Sequence, residues 1–113
     1  MAASVAYYVE KLGFECRFKS PENDSFFAIV GRDSVSILLK HTDESSAPQP
    51  NRQHHAWARW DAFVNVDAPD KLFADFEERG AKYLSRPAID DDGLHGFEIE
   101  DEDGYVLYFG RPT

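Results

Sequence analysis

Histidine, cysteine and aspartate side chains are the groups in this chain that most directly suggest metal or nucleophilic chemistry. His54 and His55 are adjacent, with His41 or Asp61 as further donors. A zinc site needs three or four donors that converge on one point, and adjacent residues of a strand point to opposite faces. The histidine pair therefore indicates the polar end of a loop more than a metal site.

Two other side chains are candidates for nucleophilic or acid–base roles. Cys16 is the single cysteine, so it forms no internal disulfide, and its acidic and basic neighbours give no sign of an activated thiolate. We interpret Cys16 as a packed strand residue. Asp61 lies between Trp60 and Phe63, where it is either a perturbed acid or base or a strand-end carboxylate in water. The sequence leaves both interpretations open.

The elements that position these residues follow from hydrophobic periodicity. In the first half, apolar residues at i, i+3, i+4 and i+7 predict a helix with Ser4 as its N-cap and Gly13 as its stop. A turn at residues 31–34 indicates a hairpin between the last two of three strands. The predicted strands are residues 14–19, 25–30 and 35–40.

The second half predicts a similar order with one more strand. A strand at residues 62–66 leads to a helix that Asp67 caps, with Asp70 in its acidic first turn, and that ends at Gly80. A turn at residues 101–104 precedes the last strand. The further predicted strands are residues 81–85, 97–100 and 105–109.

The two halves have the orders α-β-β-β and β-α-β-β-β, which indicates a duplicated module. We predict an α+β fold in a single domain of residues 1–113. Module one covers residues 1–40, a connecting loop 41–55 and module two 56–113. The first module lacks the strand that would precede its helix.

Most acidic residues of the second half are expected in solvent, and most of the larger aromatic residues in the core. Glu98, Glu100, Asp101 and Asp103 indicate a solvated strand face and turn, and residues 90–93 a loop. Most of the larger aromatic residues are expected in the core, although some can line a cavity. They are Phe26, Phe27, Trp57, Trp60, Phe63, Phe97, Tyr105, Tyr108 and Phe109.

Charge and composition exclude several classes of partner. Twelve Lys and Arg stand against 21 Asp and Glu, a net charge of −9, without a basic run. Nucleic acids and anionic membranes attract clustered cations, so neither is an expected partner. No apolar run reaches the roughly 20 residues of a membrane helix, and the N-terminus has no signal-peptide pattern. We expect a cytoplasmic protein.

Three segments together resemble one known superfamily, in the same order and at the same spacing. They are SVAYY…LGF within residues 4–14, FVNVD…RGA within 63–81, and FEIEDEDGY at 97–105, where Glu102 replaces the usual proline. They are similar to the vicinal oxygen chelate superfamily of glyoxalases, extradiol dioxygenases and bleomycin-resistance proteins. The resemblance implies two βαβββ modules forming curved mixed sheets around a cavity, in proteins that usually dimerise.

The resemblance also implies where a metal would be held. Family enzymes bind a divalent ion with His and Glu side chains from four strands. Here the first strand is missing, and the other positions correspond to Leu38, Asp61 and Tyr108. Leucine has no donor, neutral tyrosine is a poor ligand, and one carboxylate is not a divalent-ion site. We therefore expect no metal, no cofactor and no catalysis of the family kind.

The favoured function is that of the bleomycin-resistance branch, a metal-independent protein that sequesters a small molecule in its sheet cavity. Aromatic side chains suit flat organic ligands, and the net negative charge favours cations over anions. We expect a cationic or neutral, partly aromatic ligand that contacts Leu38, Trp60, Asp61 and Tyr108. Trp60 is included because it adjoins Asp61.

The sequence leaves two alternative functions open and predicts a homodimer. The alternatives are a glyoxalase-, dioxygenase- or lyase-like enzyme with an unusual divalent metal site, and a non-catalytic interaction module. A homodimer is expected because a module without its outer strand leaves unpaired backbone groups at a sheet edge. A natural start further upstream would supply that strand instead.

Overall fold

The structure is a computed structural model that describes residues 1–23, 25–41 and 47–113. Those residues form two α-helices, seven strands and a short 3-10 helix. The order is helix and three strands, then strand, helix and three strands, so the predicted α+β class and both module orders are confirmed. The chain divides into two compact units, Met1–Ala47 and Pro48–Thr113.

The first unit packs a helix against an antiparallel sheet that has, in its described residues, the strand order β1-β2-β3. Tyr8 and Leu12 of the helix and Val30 of β2 are fully buried and form the centre of its core. The elements are α1 (Ala2–Leu12), β1 (Glu15–Ser20), β2 (Phe27–Arg32) and β3 (Val35–Lys40).

Helix α1 ends as predicted but begins earlier. Gly13 has φ 69°, the left-handed conformation that glycine adopts without strain, and its N–H reaches the carbonyl of Tyr8. The prediction that Ser4 is the N-cap is wrong, because Met1 holds that position and Ser4 lies inside the helix. The strong helix formers Ala2 and Ala3 extend the helix upstream of Ser4.

The predicted hairpin forms with a shorter turn than residues 31–34. Gly31 and Arg32 pair with Ser36 and Val35, so two residues complete the turn. Asp33 has φ 54°, which aspartate tolerates better than most residues. Strand β2 therefore lies two residues further along the chain than predicted, and β1 lies one residue further.

The second unit contains a mixed sheet of strand order β4-β7-β6-β5 among its described residues, with β4 parallel to β7 and the other pairs antiparallel. The 3-10 helix Asn51–Gln53 lies in the segment before the first strand. The elements are β4 (Ala62–Asn65), α2 (Pro69–Glu78), β5 (Tyr83–Ile89), β6 (Leu94–Glu100) and β7 (Val106–Pro112).

Helix α2 has a different cap from the one predicted. Pro69 occupies its first turn, where a fixed φ and a missing N–H are compatible with a helix start. Ala68 is therefore the N-cap, and Asp67 lies outside the helix. Asp70 is in the first turn as predicted.

Strands β5 and β6 are longer than predicted because residues 90–93 form the turn between them. Asp90 Oδ1 accepts backbone N–H groups from Asp92 and Leu94, both at 2.9 Å. The connecting loop predicted at residues 41–55 lies partly outside the described residues, since 42–46 are not described.

The core of the second unit lies between α2 and one face of the sheet. Phe76 of α2 packs edge-on against Phe97 at 5.8 Å and Phe109 at 5.1 Å between ring centroids, and Phe73 packs against Phe97 at 5.1 Å. In the described residues, no helix is long and apolar enough to cross a membrane.

Several aromatic residues expected in the core are not buried. Phe97, Tyr108 and Phe109 are buried, whereas Trp57 is 88% exposed and Phe26 and Phe63 are about half exposed. Trp57 lies outside any helix or strand, so it does not belong to a sheet or helix face that packs into the core.

Candidate functional site

The candidate site lies on the face of the second unit's sheet that is opposite α2, here called the far face. Strand pairing places Phe63, Tyr108, Glu98 and Ser85 side by side, one from each strand. Neighbouring strand residues point to opposite faces. Since Phe97 and Phe109 meet α2, Glu98 and Tyr108 lie on the far face.

Three aromatic rings cluster on this face, here called the aromatic shelf (Trp60, Phe63 and Tyr108), with Trp60 and Phe63 tilted by 48° at 6.2 Å between centroids. The Tyr108 ring is stacked on Trp60, with ring centroids 3.9 Å apart and planes 21° apart. Phe63 is stacked on Tyr108 at 5.4 Å and 28°. Stacked aromatic pairs contribute about 0.5–1.5 kcal/mol beyond their buried area, so the three rings support one another.

Two glycines leave room for the Tyr108 ring. Gly96 and Gly110 are direct partners across β6 and β7. A Cβ atom added to Gly96 would lie 2.6 Å from Tyr108 Cζ and 2.7 Å from the Gly110 Cα, and one added to Gly110 would meet the same ring. The phenol ring therefore lies close over backbone that carries no side chains.

Glu98 is a buried carboxylate next to the shelf. Its side chain accepts a hydrogen bond from Trp60 Nε1 at 2.6 Å and one from Arg59 Nε at 2.7 Å, and it also pairs with Arg59 Nη2. Its backbone N–H donates to Ser85 Oγ at 3.1 Å. Glu98 is 4% exposed, so the expectation that it lies on a solvated strand face is wrong.

Opposing effects determine the charge state of Glu98. Burial alone would raise the pKa of Glu98, but hydrogen bonds from Arg59 and Trp60 and the positive charge of Arg59 outweigh burial and lower the pKa below its ordinary value. The same pair raises the pKa of Arg59, mainly through the hydrogen bond to Glu98. Both groups are therefore charged at neutral pH.

Tyr108 remains a neutral phenol. Its burial, followed by the negative charges of Asp90 and Glu98, raises the pKa of Tyr108 above its ordinary value. A buried neutral phenol in a ring stack is a poor metal ligand.

Asp61 is tied to the backbone on both sides. Oδ1 accepts the N–H of Asn51 at 2.9 Å, and Oδ2 accepts the N–H of Val106 at 2.8 Å. The Asp61 N–H also donates to the Val106 carbonyl at 2.8 Å. The carboxylate thus joins the segment before β4 to the start of β7, directly after Trp60.

Leu38 lies on β3 of the first unit. It pairs with Ile29 of β2, which in turn pairs with Phe18 of β1. Leu38 is 55% exposed and Phe18 is also exposed. Leu38, Ile29 and Phe18 therefore form a row of apolar side chains across one face of the first unit's sheet.

The remaining candidates are His54, His55, Cys16 and Asp101. The rings of His54 and His55 are 6.5 Å apart, and that of His55 lies 6.0 Å from Trp57. Cys16 is on a strand as predicted, but it is exposed and not packed. Asp101, expected in solvent, is buried, and its Oδ1 accepts the N–H groups of Asp103 and Tyr105 at 2.9 Å.

The residues at the family's metal positions do not fit a divalent ion. Leu38 offers no donor, Tyr108 is a stacked neutral phenol, and each oxygen of Asp61 already accepts an N–H group. Among residues 1–23, 25–41 and 47–113, no three His, Cys, Asp or Glu side chains are placed to hold a metal.

The sequence predicted Trp60, Asp61 and Tyr108 of the chain's second half as site residues. It did not predict Glu98 or Arg59. The alternation of residues 97–100 was visible and places Glu98 on the face of Glu100. What the sequence did not show is that Arg59, 39 positions earlier, lies against that face.

The chain belongs to the Glyoxalase/Bleomycin resistance protein/Dioxygenase superfamily, which it matches over residues 1–109. A comparison with curated protein sequences finds no match.

Solved structures with the same fold include antibiotic-binding proteins. The chain is similar to TnmS3, an antibiotic binding protein from Streptomyces sp. CB03234, at 19% identity and TM-score 0.72, covering 99% of this chain and 86% of that one. It is also similar to the bleomycin-binding protein from bleomycin-producing Streptomyces verticillus, complexed with copper(II)-bleomycin, at 21% identity and TM-score 0.68, covering 99% and 87%.

A third similar structure is TioX from Micromonospora sp. ML1, at 19% identity and TM-score 0.71, covering 96% of this chain and 87% of that one. At such identities the likeness establishes a shared fold.

Proposed function

We propose that this protein is a metal-independent small-molecule-binding protein of the bleomycin-resistance type, which sequesters a cationic or neutral, partly aromatic ligand. Family membership and relatives named for antibiotic or bleomycin binding support the proposal. The observation that carries it is the aromatic shelf, because Tyr108 lies in a ring stack at a position where family enzymes have a metal ligand.

The shelf suits a flat ligand for physical reasons. Aromatic faces offer large contact area with little loss of side-chain entropy, and they attract cations through the ring quadrupole. The ion pair between Arg59 and Glu98 leaves little net charge beside the rings, so a neutral or cationic ring meets no strong local repulsion. The net charge of −9 favours cations at long range.

The proposed ligand contacts are Trp60, Asp61 and Tyr108 in the second unit and Leu38 in the first. Trp60 supplies the main stacking surface, and Tyr108, which is 4% exposed, supports the Trp60 ring with little open surface of its own. Asp61 anchors the segment that carries Trp60, and its carboxylate is proposed to attract a cationic ligand by its charge and not as a direct ligand of a metal. Leu38 is proposed as an apolar contact on the strength of its exposure. The protein is further proposed to be a cytoplasmic homodimer without nucleic-acid or membrane partners.

Titration calorimetry tests the proposal with metal-free bleomycin and a panel of flat aromatic cations with their neutral isosteres. We expect binding by the wild type without added metal. Trp60→Ala should weaken it about two- to tenfold, the equivalent of one aromatic stacking contact. Trp57→Ala is the matched control, because Trp57 is 88% exposed and lies outside the shelf.

Three results would overturn the proposal. Equal losses in Trp60→Ala and Trp57→Ala would remove the shelf as the site. One equivalent of a divalent metal per chain, with binding or turnover lost on chelation, would favour the enzyme alternative. Failure of every compound to shift the melting temperature would favour the interaction module.

A further inference from the structure

We propose that Glu98 is a positioning residue, whose carboxylate holds the Trp60 indole flat on Tyr108 and keeps the aromatic shelf formed before a ligand arrives. This inference rests on the proposed function, because it concerns how that same shelf is organised. Nothing in the family resemblance at Leu38, Asp61 and Tyr108 assigns a role to Glu98.

Glu98 is rigidly held, whereas the Trp60 side chain extends from a segment in which Asp61 anchors the backbone but not the indole. Glu98 is 4% exposed, lies in β6 between β5 and β7, and its own N–H is bonded to Ser85. Arg59 and Trp60 lie in the segment before β4, outside any helix or strand. An indole there has rotamer freedom, which a hydrogen bond to a rigid strand removes.

One carboxylate oxygen makes the decisive contacts. Oε2 of Glu98 accepts the indole N–H of Trp60 at 2.6 Å and the Nε–H of Arg59 at 2.7 Å. Glu98 is also the direct cross-strand neighbour of Tyr108. The hydrogen bond therefore fixes the indole at its nitrogen edge, while the ring face rests 3.9 Å from Tyr108.

A purely structural ion pair is the competing explanation, and the same strand supplies its example. Glu100 lies two residues away on the same face and pairs with Arg52. Both pairs join β6 to the segment before β4, but the contact with an indole distinguishes Glu98. Glu100 is therefore the matched control for the measurements that compare Glu98 variants.

The first measurement needs no ligand and uses the Trp57→Phe protein, in which Trp60 is the remaining tryptophan. In a ¹H–¹⁵N spectrum, we expect the Trp60 indole proton to resonate downfield of that of exposed Trp57 in the wild type, and to exchange slowly with solvent. A Trp60 indole proton that has the chemical shift of exposed Trp57 and exchanges rapidly with solvent would overturn the proposal, whatever the behaviour of the variants.

The second measurement compares three variants in that background by acrylamide quenching of Trp60 fluorescence. Glu98→Met removes every acceptor and should increase quenching. Glu98→Gln keeps one acceptor oxygen and should restore protection in part. Glu100→Met should leave quenching unchanged. Equal quenching in Glu98→Met and Glu100→Met would show that the carboxylate has no role in holding the indole.

The third measurement links the anchor to binding, with metal-free bleomycin or the best aromatic cation as the probe. We expect Glu98→Met to weaken binding about two- to tenfold, the equivalent of immobilising one side chain on association, and Glu100→Met to have no effect. Unchanged affinity in Glu98→Met would overturn the positioning role. If no compound binds while the indole proton is protected, the proposed function fails and the anchor stands.

Discussion

Two carboxylates of the second unit show how similar residues acquire different roles from their partners. Asp61 accepts two backbone N–H groups and fixes the path of the chain. Glu98 accepts side-chain donors and fixes the orientation of an aromatic ring. Neither role follows from residue type, because both depend on donors from distant parts of the chain.

Acidification should remove the stabilisation that Glu98 provides. The pKa of Glu98 is lower in the folded protein than in the unfolded chain, where it is about 4.3. Its contribution is therefore fully present above that pH and is lost as the pH falls through the lowered folded pKa. The groups that face the carboxylate are Arg59, Trp60, Ser85 and Tyr108, and neither Arg59 nor Tyr108 changes charge in this range.

Urea unfolding of the wild type and Glu98→Gln at a series of pH values between about 3 and 7 measures this effect. We expect the wild type to be more stable by about 1–3 kcal/mol near neutrality, with the difference shrinking below about pH 4.3. Titration of other carboxylates occurs in both proteins and cancels. A difference independent of pH would contradict the assigned charge.

The substitution Asp61→Asn should destabilise the protein even without a ligand. An amide replaces one acceptor oxygen with a donor, which would then face the N–H of Asn51 or Val106. An unsatisfied buried or half-buried group costs about 1–3 kcal/mol. Denaturant unfolding with exposed Asp67→Asn as the control measures the loss. Equal stability of the two variants would show that these backbone contacts are dispensable.

At the scale of elements, two facing glycines in the sheet of the second unit leave space for the Tyr108 ring. Strands β6 and β7 place Gly96 opposite Gly110, and the Tyr108 ring lies over the pair. Glycine in a strand is entropically unfavourable and packs no side chain. Here the absence of Cβ atoms is what allows the phenol, and with it the Trp60 stack, to approach the backbone.

Gly96→Ala should therefore disrupt both the sheet and the shelf. Its Cβ would meet the Phe109 carbonyl, the Gly110 Cα and the Tyr108 ring, and backbone atoms cannot move aside cheaply. We expect a loss of about 1–3 kcal/mol, typical of overpacking, with a changed near-ultraviolet circular dichroism signal from the stacked rings. Gly31→Ala is the control, because its Cβ would meet the flexible end of Arg17. Similar losses in both variants would contradict this explanation.

At the scale of the whole molecule, the two units differ at one sheet edge. In the second unit β4 pairs in parallel with β7. In the corresponding place of the first unit, β3 has no fourth strand beside it among that unit's described residues. An open strand edge is a template for pairing with another chain, which supports the proposed homodimer.

Light scattering coupled to size-exclusion chromatography tests the assembly state directly. We expect a mass about twice the 12.9 kDa of one chain at micromolar concentration. Leu38→Lys adds a charge to the face of β3 without changing its backbone edge. It therefore serves as the control for effects of surface charge on the measured mass. A monomer mass across the whole concentration range would contradict the dimer.

Most of the local architecture of this protein is encoded in short-range sequence patterns. Periodicity predicted both helices and the order of all the strands, and Gly13 ended α1 as expected, because these features depend on neighbouring residues. Cap positions and strand ends were less accurate, as Ser4 and Asp67 show, since competing local signals such as Pro69 decide them.

The roles of the acidic and aromatic residues depend on contacts between distant parts of the chain. Glu98 looks like a solvent-facing strand residue in the sequence, and it is buried because Arg59 and Trp60, 39 and 38 positions earlier, cover it. Trp57 and Trp60 look alike in sequence, yet Trp57 is exposed and Trp60 is stacked on Tyr108. Burial and hydrogen bonding are properties of chain segments brought together by strand pairing, and no local pattern contains that pairing.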